Sequence, residues 1–147
     1  MSRDDRPSKD RGIILGAEGL RDLGSGRTLQ PPKRERYENQ QETKKAVEYL
    51  KRYGRPILCT EYMARPAGST FAANSPYFKD NNVAAYCWGF VSGKTQTIYP
   101  WDSWEKKYDA EPTVWFHDIF RSDGKAYDEN EVTLIRRLTA KAASRAK

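Results

Sequence analysis

The sequence predicts an α/β protein in which short parallel strands alternate with helices. Two runs of apolar, β-branched and aromatic residues, 56–62 and 83–91, have the length and composition of buried strands. Segments with helical periodicity precede, separate and follow these runs. Because nearly continuous apolar strands that alternate with helices form parallel sheets covered on both faces, we expect helices on both sides of this sheet.

The first helix is predicted over residues 40–53. The apolar positions that recur there at helical spacing are Ala46, Val47, Leu50 and Tyr53. Gly54 follows as a C-terminal stop, and the strand 56–62 begins directly after it. This part of the sequence therefore predicts a helix that leads into a strand.

The second helix is predicted over residues 69–80, after the loop 65–68, with Pro76 tolerated near a first turn. The second strand, 83–91, comes next. The long connection 92–127 is rich in aromatic residues and lacks a clear periodicity. A connection of this length is usually functional, so we expect it to contribute to a site.

The last helix is predicted to begin at Asp128, with Glu131 three positions later as a capping-box partner. Its apolar face consists of Val132, Ile135 and Leu138. The predicted order is therefore helix, strand, helix, strand, helix.

The formal net charge of +6 is concentrated towards the two ends of the 147-residue chain. Residues 1–36 carry nine Lys or Arg against six Asp or Glu, residues 37–131 carry twelve against fourteen, and residues 132–147 carry five against none. A phosphate-binding face is expected to run through the folded body, so this distribution argues against a nucleic-acid partner. The Gly-, Pro- and Arg-rich segment 1–36 is predicted to be poorly ordered.

No apolar run is long enough to cross a membrane, and residues 1–25 lack the apolar centre of a secretory signal. We therefore expect no membrane partner, while the localisation stays open. Cys59 and Cys87 lie inside the two predicted strands and are interpreted as buried free thiols. Neither spacing suits a zinc site, and we expect no metal and no cofactor.

Glu61 and Trp88 lie near the ends of the two predicted strands. An ionised carboxylate in a buried strand belongs at the solvent-facing end or beside a charge partner. In closed barrels of parallel strands the active site lies at the strands' C-terminal ends, so the two residues are expected to form two edges of one site. The alternatives are an ion pair of Glu61 with Arg65 or Lys94, and a core position for Trp88.

Several motifs resemble the seventh and eighth strands and loops of (β/α)8-barrel (TIM-barrel) glycoside hydrolases of the cellulase-like superfamily. These motifs are GRPILCTEYMAR (54–65), GSTF (68–71), WGFVSGKTQT (88–97), YPWDSW (99–104) and EPTVWFHD (111–118). The resemblance runs from about residue 37 to about residue 139. It implies a partial TIM barrel, in which residues 37–147 are a C-terminal fragment with the last two strands and their helices.

The resemblance implies retaining hydrolysis of a β-linked polysaccharide or oligosaccharide. Glu61 occupies the position of the nucleophile, and Trp88 forms the floor of the sugar subsite beside the scissile bond. The other expected substrate-binding residues are Arg65, Lys94, Gln96 and Trp101. Lys94 and Gln96 either donate hydrogen bonds to sugar hydroxyls or tie down their loop.

Two further residues of the long connection are expected to have structural roles. Trp104 is expected to pin the loop, although it is also a candidate sugar platform. His117, the only histidine, is expected to be a structural residue and not a general base.

A retaining site also needs a second carboxyl group about 5 Å from the nucleophile, as acid and then base. In the family it comes from the fourth strand, which this chain does not contain. The carboxylates that cannot be carried over as this group are Glu18, Glu35, Asp102, Glu111 and Asp118. The isolated chain is therefore expected to be inactive or weakly active, and its open sheet edge predicts self-association.

A complete barrel of this type takes about 250 residues. Residues 1–36 show no family resemblance, and a frameshift, a wrong start codon or a fragmented gene is our hypothesis for this abrupt break in the sequence. The alternative to the enzyme is a non-catalytic carbohydrate-binding or interaction module that uses the aromatic loop.

Overall fold

The computed structural model describes residues 13–16, 19–22, 28–29, 40–94 and 97–140. The strands in these ranges are Ile13–Gly16 (β1), Gly19–Asp22 (β2), Thr28–Leu29 (β3), Ile57–Cys59 (β4) and Val83–Ala85 (β5). The α-helices are Gln40–Lys51 (α1), Phe71–Asp80 (α2) and Glu129–Thr139 (α3). The protein is therefore mixed α/β, which confirms the predicted class.

The strands form one five-stranded sheet in the order β3-β2-β1-β4-β5. β4 lies between β1 and β5 and is parallel to both, with Ile57 opposite Ile13 on one side and Val83 on the other. β2 is antiparallel to β1, and β3 is antiparallel to β2. The predicted parallel pairing of the two apolar runs is confirmed, and β5 forms one edge of this sheet.

Both predicted strands end several residues earlier than their apolar sequences indicate, at Cys59 and at Ala85. After β4 the chain turns inward, and the residues that are buried there without joining a strand are Tyr62, Met63 and Ala64. These side chains are buried although they lie in a turn. The apolar run in the sequence is therefore longer than the strand that it contains.

Residues 1–36 contribute β1, β2 and β3, so the prediction of poor order is wrong for these strands. Ile13 and Leu15 of β1 are buried, and the backbone N–H of Ile13 donates to the carbonyl of Pro56 at 2.8 Å. β1 therefore covers an edge of β4 that would otherwise present unpaired backbone groups. The rest of the segment lies outside the described residues.

The core lies between the sheet and the helices. Side chains that are almost completely inaccessible to solvent are Ile13, Val47, Leu50, Met63 and Phe78. The predicted face of α1 is buried at Ala46, Val47 and Leu50, whereas Val132 is the buried member of the predicted α3 face. In the described part of the chain, none of the helices has the length and apolar character needed to cross a membrane.

Each helix boundary has an identifiable cause in the local sequence. α1 is followed by Gly54, whose φ of 58° lies in the left-handed region that favours glycine. Thr70 caps α2 by accepting a hydrogen bond from the Ala73 N–H at 3.1 Å. Pro76 lies inside α2 and not in a first turn as predicted, because the Thr70 cap starts the helix at Phe71.

A buried ion pair joins Arg65, in the short 3₁₀ helix Arg65–Ala67, to Glu131 in α3. The Arg65 Nη2 and Glu131 Oε2 atoms are 2.6 Å apart, and the side chains are only 5% and 12% exposed. Arg65 also donates to the carbonyls of Trp115 at 3.1 Å and Asp118 at 2.9 Å. One guanidinium thus holds the turn after β4, the long connection and α3 together.

This ion pair changes the role that the sequence predicts for Glu131. The cap of α3 is Asp128, which accepts from the Asn130 N–H at 2.8 Å. The Glu131 carboxylate contacts Arg65 through three hydrogen bonds. The capping-box prediction for Glu131 is therefore wrong, because a buried guanidinium needs a carboxylate more than an exposed helix terminus does.

We predict that Glu131→Gln lowers the free energy of unfolding by about 3 kcal/mol, because it leaves the buried Arg65 cation without a counter-charge. Urea denaturation of the variant at pH 7 measures this loss. Glu129→Gln is the matched control, since Glu129 is an exposed carboxylate in the same first turn of α3. Equal effects of the two substitutions would contradict a structural role of the ion pair.

Candidate functional site

Glu61 and Trp88 meet at one edge of the sheet. Glu61 lies two residues after β4 and Trp88 three residues after β5, and Cys59 and Ala85 are paired in the parallel register. The indole Nε1–H of Trp88 donates a hydrogen bond to Glu61 Oε1. The structure therefore brings together the two residues that the sequence predicts at the edges of one site.

The indole of Trp88 is available to a ligand. Trp88 is 57% exposed, and Tyr86 and Phe90 on either side of it are 57% and 64% exposed. We call these three residues the aromatic strip. Large aromatic side chains are normally buried, so three exposed ones within five residues are a candidate surface for contact with another molecule. Tyr86 and Phe90 belong to it without having been predicted as site residues.

The backbone behind Trp88 is tightly packed. Gly89 has a φ of 51°, and a Cβ at this position would overlap the Asp118 carboxylate and the Thr97 hydroxyl. Thr97 donates to the buried Asp118 carboxylate at 2.8 Å, and burial raises the pKa of Asp118. Only glycine fits here, and the close contact fixes the backbone that presents Trp88.

Arg65 does not face the open site. Its guanidinium is buried among Glu131 and the backbone carbonyls of the long connection, and it lies 4.7 Å from the centre of the Tyr127 ring. The structure thus contradicts both a substrate-binding Arg65 and the alternative ion pair with Glu61. Lys94 is exposed, whereas Gln96 lies outside the described residues.

The exposure of the two loop tryptophans differs, and the structure contradicts the prediction for Trp104 alone. Trp101 packs edge-on against Phe116, with ring centres 4.5 Å apart, and is 37% exposed. Trp104, which the sequence predicts to pin the loop, is 88% exposed. The expectation that Trp104 pins the loop is therefore wrong, whereas Trp101 packs on Phe116 and keeps part of its surface exposed.

Three carboxylates of the long connection are already bound within it. Asp102 accepts from Tyr108 at 2.7 Å and Lys106 at 3.0 Å, and these bonds lower the pKa of Asp102. Glu111 accepts from Arg121 and from the Trp115 indole, and its pKa is lowered mainly by Arg121. The Asp118 carboxylate accepts from Thr97. Each of the three carboxylates therefore has hydrogen-bond partners within the long connection.

His117 is half-buried, and its Nδ1 has no hydrogen-bond partner among the described residues. Burial, with repulsion from Arg65, lowers the pKa of His117 to about 4. The ring is neutral at pH 7 and packs against Phe116 at 4.8 Å between ring centres. These contacts agree with the structural role that the sequence predicts.

Cys59 and Cys87 are free, as predicted, with Cys59 buried and Cys87 half-buried. Burial raises the pKa of the Cys87 thiol to about 12, so this thiol is protonated at neutral pH. Within the residues that the structure describes, no group of three or more His, Cys, Asp or Glu side chains is arranged to hold a metal ion.

Comparison with known proteins adds no relative: no family model, curated protein or solved structure matches the chain.

We predict that the folded chain loses stability as the pH falls from about 6.5 to about 4. In this range the unfolded His117 binds a proton that the folded ring resists, so acid favours unfolding. The expected loss is about 1 to 2 kcal/mol between pH 7 and pH 4.5, after allowance for solvent screening of a half-buried ring.

Urea denaturation at the two pH values measures this loss, and His117→Asn should remove it. Asp118 titrates nearby with a raised pKa and acts in the opposite direction, so the difference between the wild-type protein and the variant is the relevant quantity. An identical pH dependence in the two proteins would show that His117 is not the responsible group.

Proposed function

We propose that this chain is the C-terminal part of a cellulase-like (β/α)8-barrel glycoside hydrolase, with Glu61 as the nucleophile of a retaining reaction on a β-linked saccharide. The observation that supports this proposal most directly is the contact between the Glu61 carboxylate and the exposed Trp88 indole beyond the carboxyl ends of two parallel strands. Active sites of parallel barrels lie at this end of the strands.

The chemistry follows from these two side chains. A half-buried carboxylate attacks the anomeric carbon, and the glycosidic oxygen leaves with the bonding electron pair. The face of Trp88 supplies an apolar platform for the C–H face of the sugar, while its Nε1–H orients the Glu61 carboxylate. Trp88 thus both supports the sugar and positions the nucleophile.

The second carboxyl group of a retaining site is outside this proposal. The family supplies it from a fourth strand, and the carboxylates of the long connection have structural contacts of their own. Without a positioned acid, a poor leaving group departs without a proton, and the rate falls by a factor of about 10² to 10⁴. Turnover of natural glycosides by the isolated chain is therefore expected to be weak or absent.

A substrate with a good leaving group tests Glu61 without the acid. We predict that a 2,4-dinitrophenyl 2-deoxy-2-fluoro-β-glycoside labels Glu61, because dinitrophenolate leaves without protonation and the fluorine slows hydrolysis of the glycosyl ester. Mass spectrometry of the intact chain, followed by peptide mapping, measures the label and its position.

Glu61→Gln should abolish this labelling, whereas Glu111→Gln, a carboxylate change in the long connection, should leave it intact. Labelling that persists in Glu61→Gln, or a folded wild-type chain that takes no label from a panel of such glycosides, would rule out Glu61 as the nucleophile.

A second candidate function is a non-catalytic carbohydrate-binding or interaction module. The observation that favours it is the aromatic strip of Tyr86, Trp88 and Phe90, whose exposure does not depend on a second carboxylate. In this case saccharide binding survives Glu61→Gln and is weakened in Trp88→Ala or in Trp101→Ala. Binding without any labelling of Glu61 would favour the module over the enzyme.

We also propose that the chain self-associates through the open edge of β5. This edge strand carries exposed Ala84 and Ala85 and leads directly into the aromatic strip. Unpaired strand edges beside exposed apolar side chains pair readily with other chains.

Sedimentation velocity at increasing protein concentration should therefore show oligomers. Ala84→Lys should reduce them, because lysine on an edge strand opposes pairing. Ala110→Lys adds the same charge at another exposed position and should have no effect. A concentration-independent monomer would contradict self-association.

A further inference from the structure

A cleft beside Trp104 lies apart from the Glu61 site and is lined mainly by aromatic, hydroxyl and charged side chains. We call it the Trp104 cleft and define it by six of its lining residues: Tyr99, Ser103, Trp104, Lys107, Tyr108 and Ser122. Its volume is about 720 Å³, and neither Glu61 nor Trp88 lines it. Ser92 and Gly93 also line it, so the segment that follows the aromatic strip connects the two regions along the chain.

Folding does not account for the exposure of Trp104. The side chain is 88% exposed, although the burial of an indole is among the larger stabilising contributions available to a residue. The other tryptophan of the same 3₁₀ helix, Trp101, packs on Phe116. Trp104 is therefore the aromatic side chain of this loop whose face is available to a ligand.

The walls of the cleft are held by specific contacts. The Tyr99 and Tyr108 rings lie 5.3 Å apart, and the Tyr108 hydroxyl donates to Asp102 at 2.7 Å. Asp102 also accepts from Lys106 at 3.0 Å. The Asp102 carboxylate in the 3₁₀ helix thus binds both a tyrosine and a lysine of the segment that follows the helix, and these contacts hold the wall of the cleft next to Trp104.

The charges around the cleft favour a neutral ligand over an anion. Lys106 pairs with Asp102 at 3.0 Å, and Lys107 pairs with Asp109 at 3.1 Å. Glu105 adds a further negative charge to the lining. Since the nearby ammonium groups are balanced by carboxylates, a phosphate or carboxylate ligand gains little net attraction here.

We infer that the Trp104 cleft binds a neutral saccharide, with a pyranose ring stacked on Trp104 and its hydroxyl groups hydrogen-bonded to the serine and tyrosine side chains of the cleft. The pairing of an open indole face with several hydroxyl donors and acceptors matches a sugar, which has an apolar face and a polar rim. This binding site is separate from the Glu61 site and does not depend on hydrolysis there.

Titration calorimetry with β-1,4-linked glucotetraose and xylotetraose tests this site. We expect Trp104→Ala to weaken binding at one class of site by about tenfold or more, and Trp104→Phe to restore part of the affinity through its smaller aromatic face. Val114→Ala, at an exposed apolar position that lines neither the cleft nor the Glu61 site, is the control and should leave this class of site unchanged. Because Trp104 is a surface residue, the variants should keep the wild-type circular dichroism spectrum and melting temperature.

Three results would overturn the inference. The first is equal tetrasaccharide binding by folded Trp104→Ala and the wild-type protein. The second is binding of glucose 6-phosphate or inorganic phosphate that is tighter than that of the tetrasaccharides and weakens with salt, which would indicate an anion site. The third is a wild-type protein that binds neither tetrasaccharide but self-associates, together with a Trp104→Ala variant that no longer self-associates. This result would indicate that Trp104 contacts a second copy of the chain. The glycosyl labelling of Glu61 is measured separately, so failure of either proposal is distinguishable from failure of the other.

Discussion

The buried ion pair between Arg65 and Glu131 is the contact on which the rest of the described structure depends. Removing both charges from water costs several kcal/mol per ion, and the cost is offset only when the geometry is good and the remaining donors are satisfied. Arg65 meets both conditions, because it binds Glu131 through two guanidinium nitrogens and donates to the carbonyls of Trp115 and Asp118. The pair fixes α3 and the long connection against the turn after β4.

A continuous series of contacts leads from this ion pair to the candidate site. Arg65 holds the backbone carbonyl of Asp118, and the Asp118 carboxylate lies directly against Gly89. Gly89 in turn fixes the position of Trp88, whose indole donates to Glu61. The exposed aromatic side chain is therefore supported by buried polar groups, which lets it stay accessible without being loosely held.

The tryptophans of the chain divide according to the packing around them. Trp115 is buried and stacks on Tyr127, with ring centres 4.9 Å apart, and Trp101 packs on Phe116. Trp88 and Trp104 are more than half exposed, each in a different region. The aromatic content of the long connection thus serves two purposes, since some rings secure the loop to the core while others remain available for ligands.

Local sequence determined the α/β class, the order of the last three helices and two strands, the parallel pairing of β4 with β5, and the meeting of Glu61 with Trp88. These features follow from the spacing of apolar residues and from where each apolar run ends, which nearby residues decide. Only the tertiary structure decided that β1 pairs with β4 and that Glu131 binds Arg65 instead of capping α3. It also decided which loop tryptophan, Trp104, is the more exposed. Arg65 and Glu131 are 66 positions apart. The physical reason is that side-chain partners and exposure depend on surfaces brought together from distant parts of the chain, and spacing along the sequence carries no record of them.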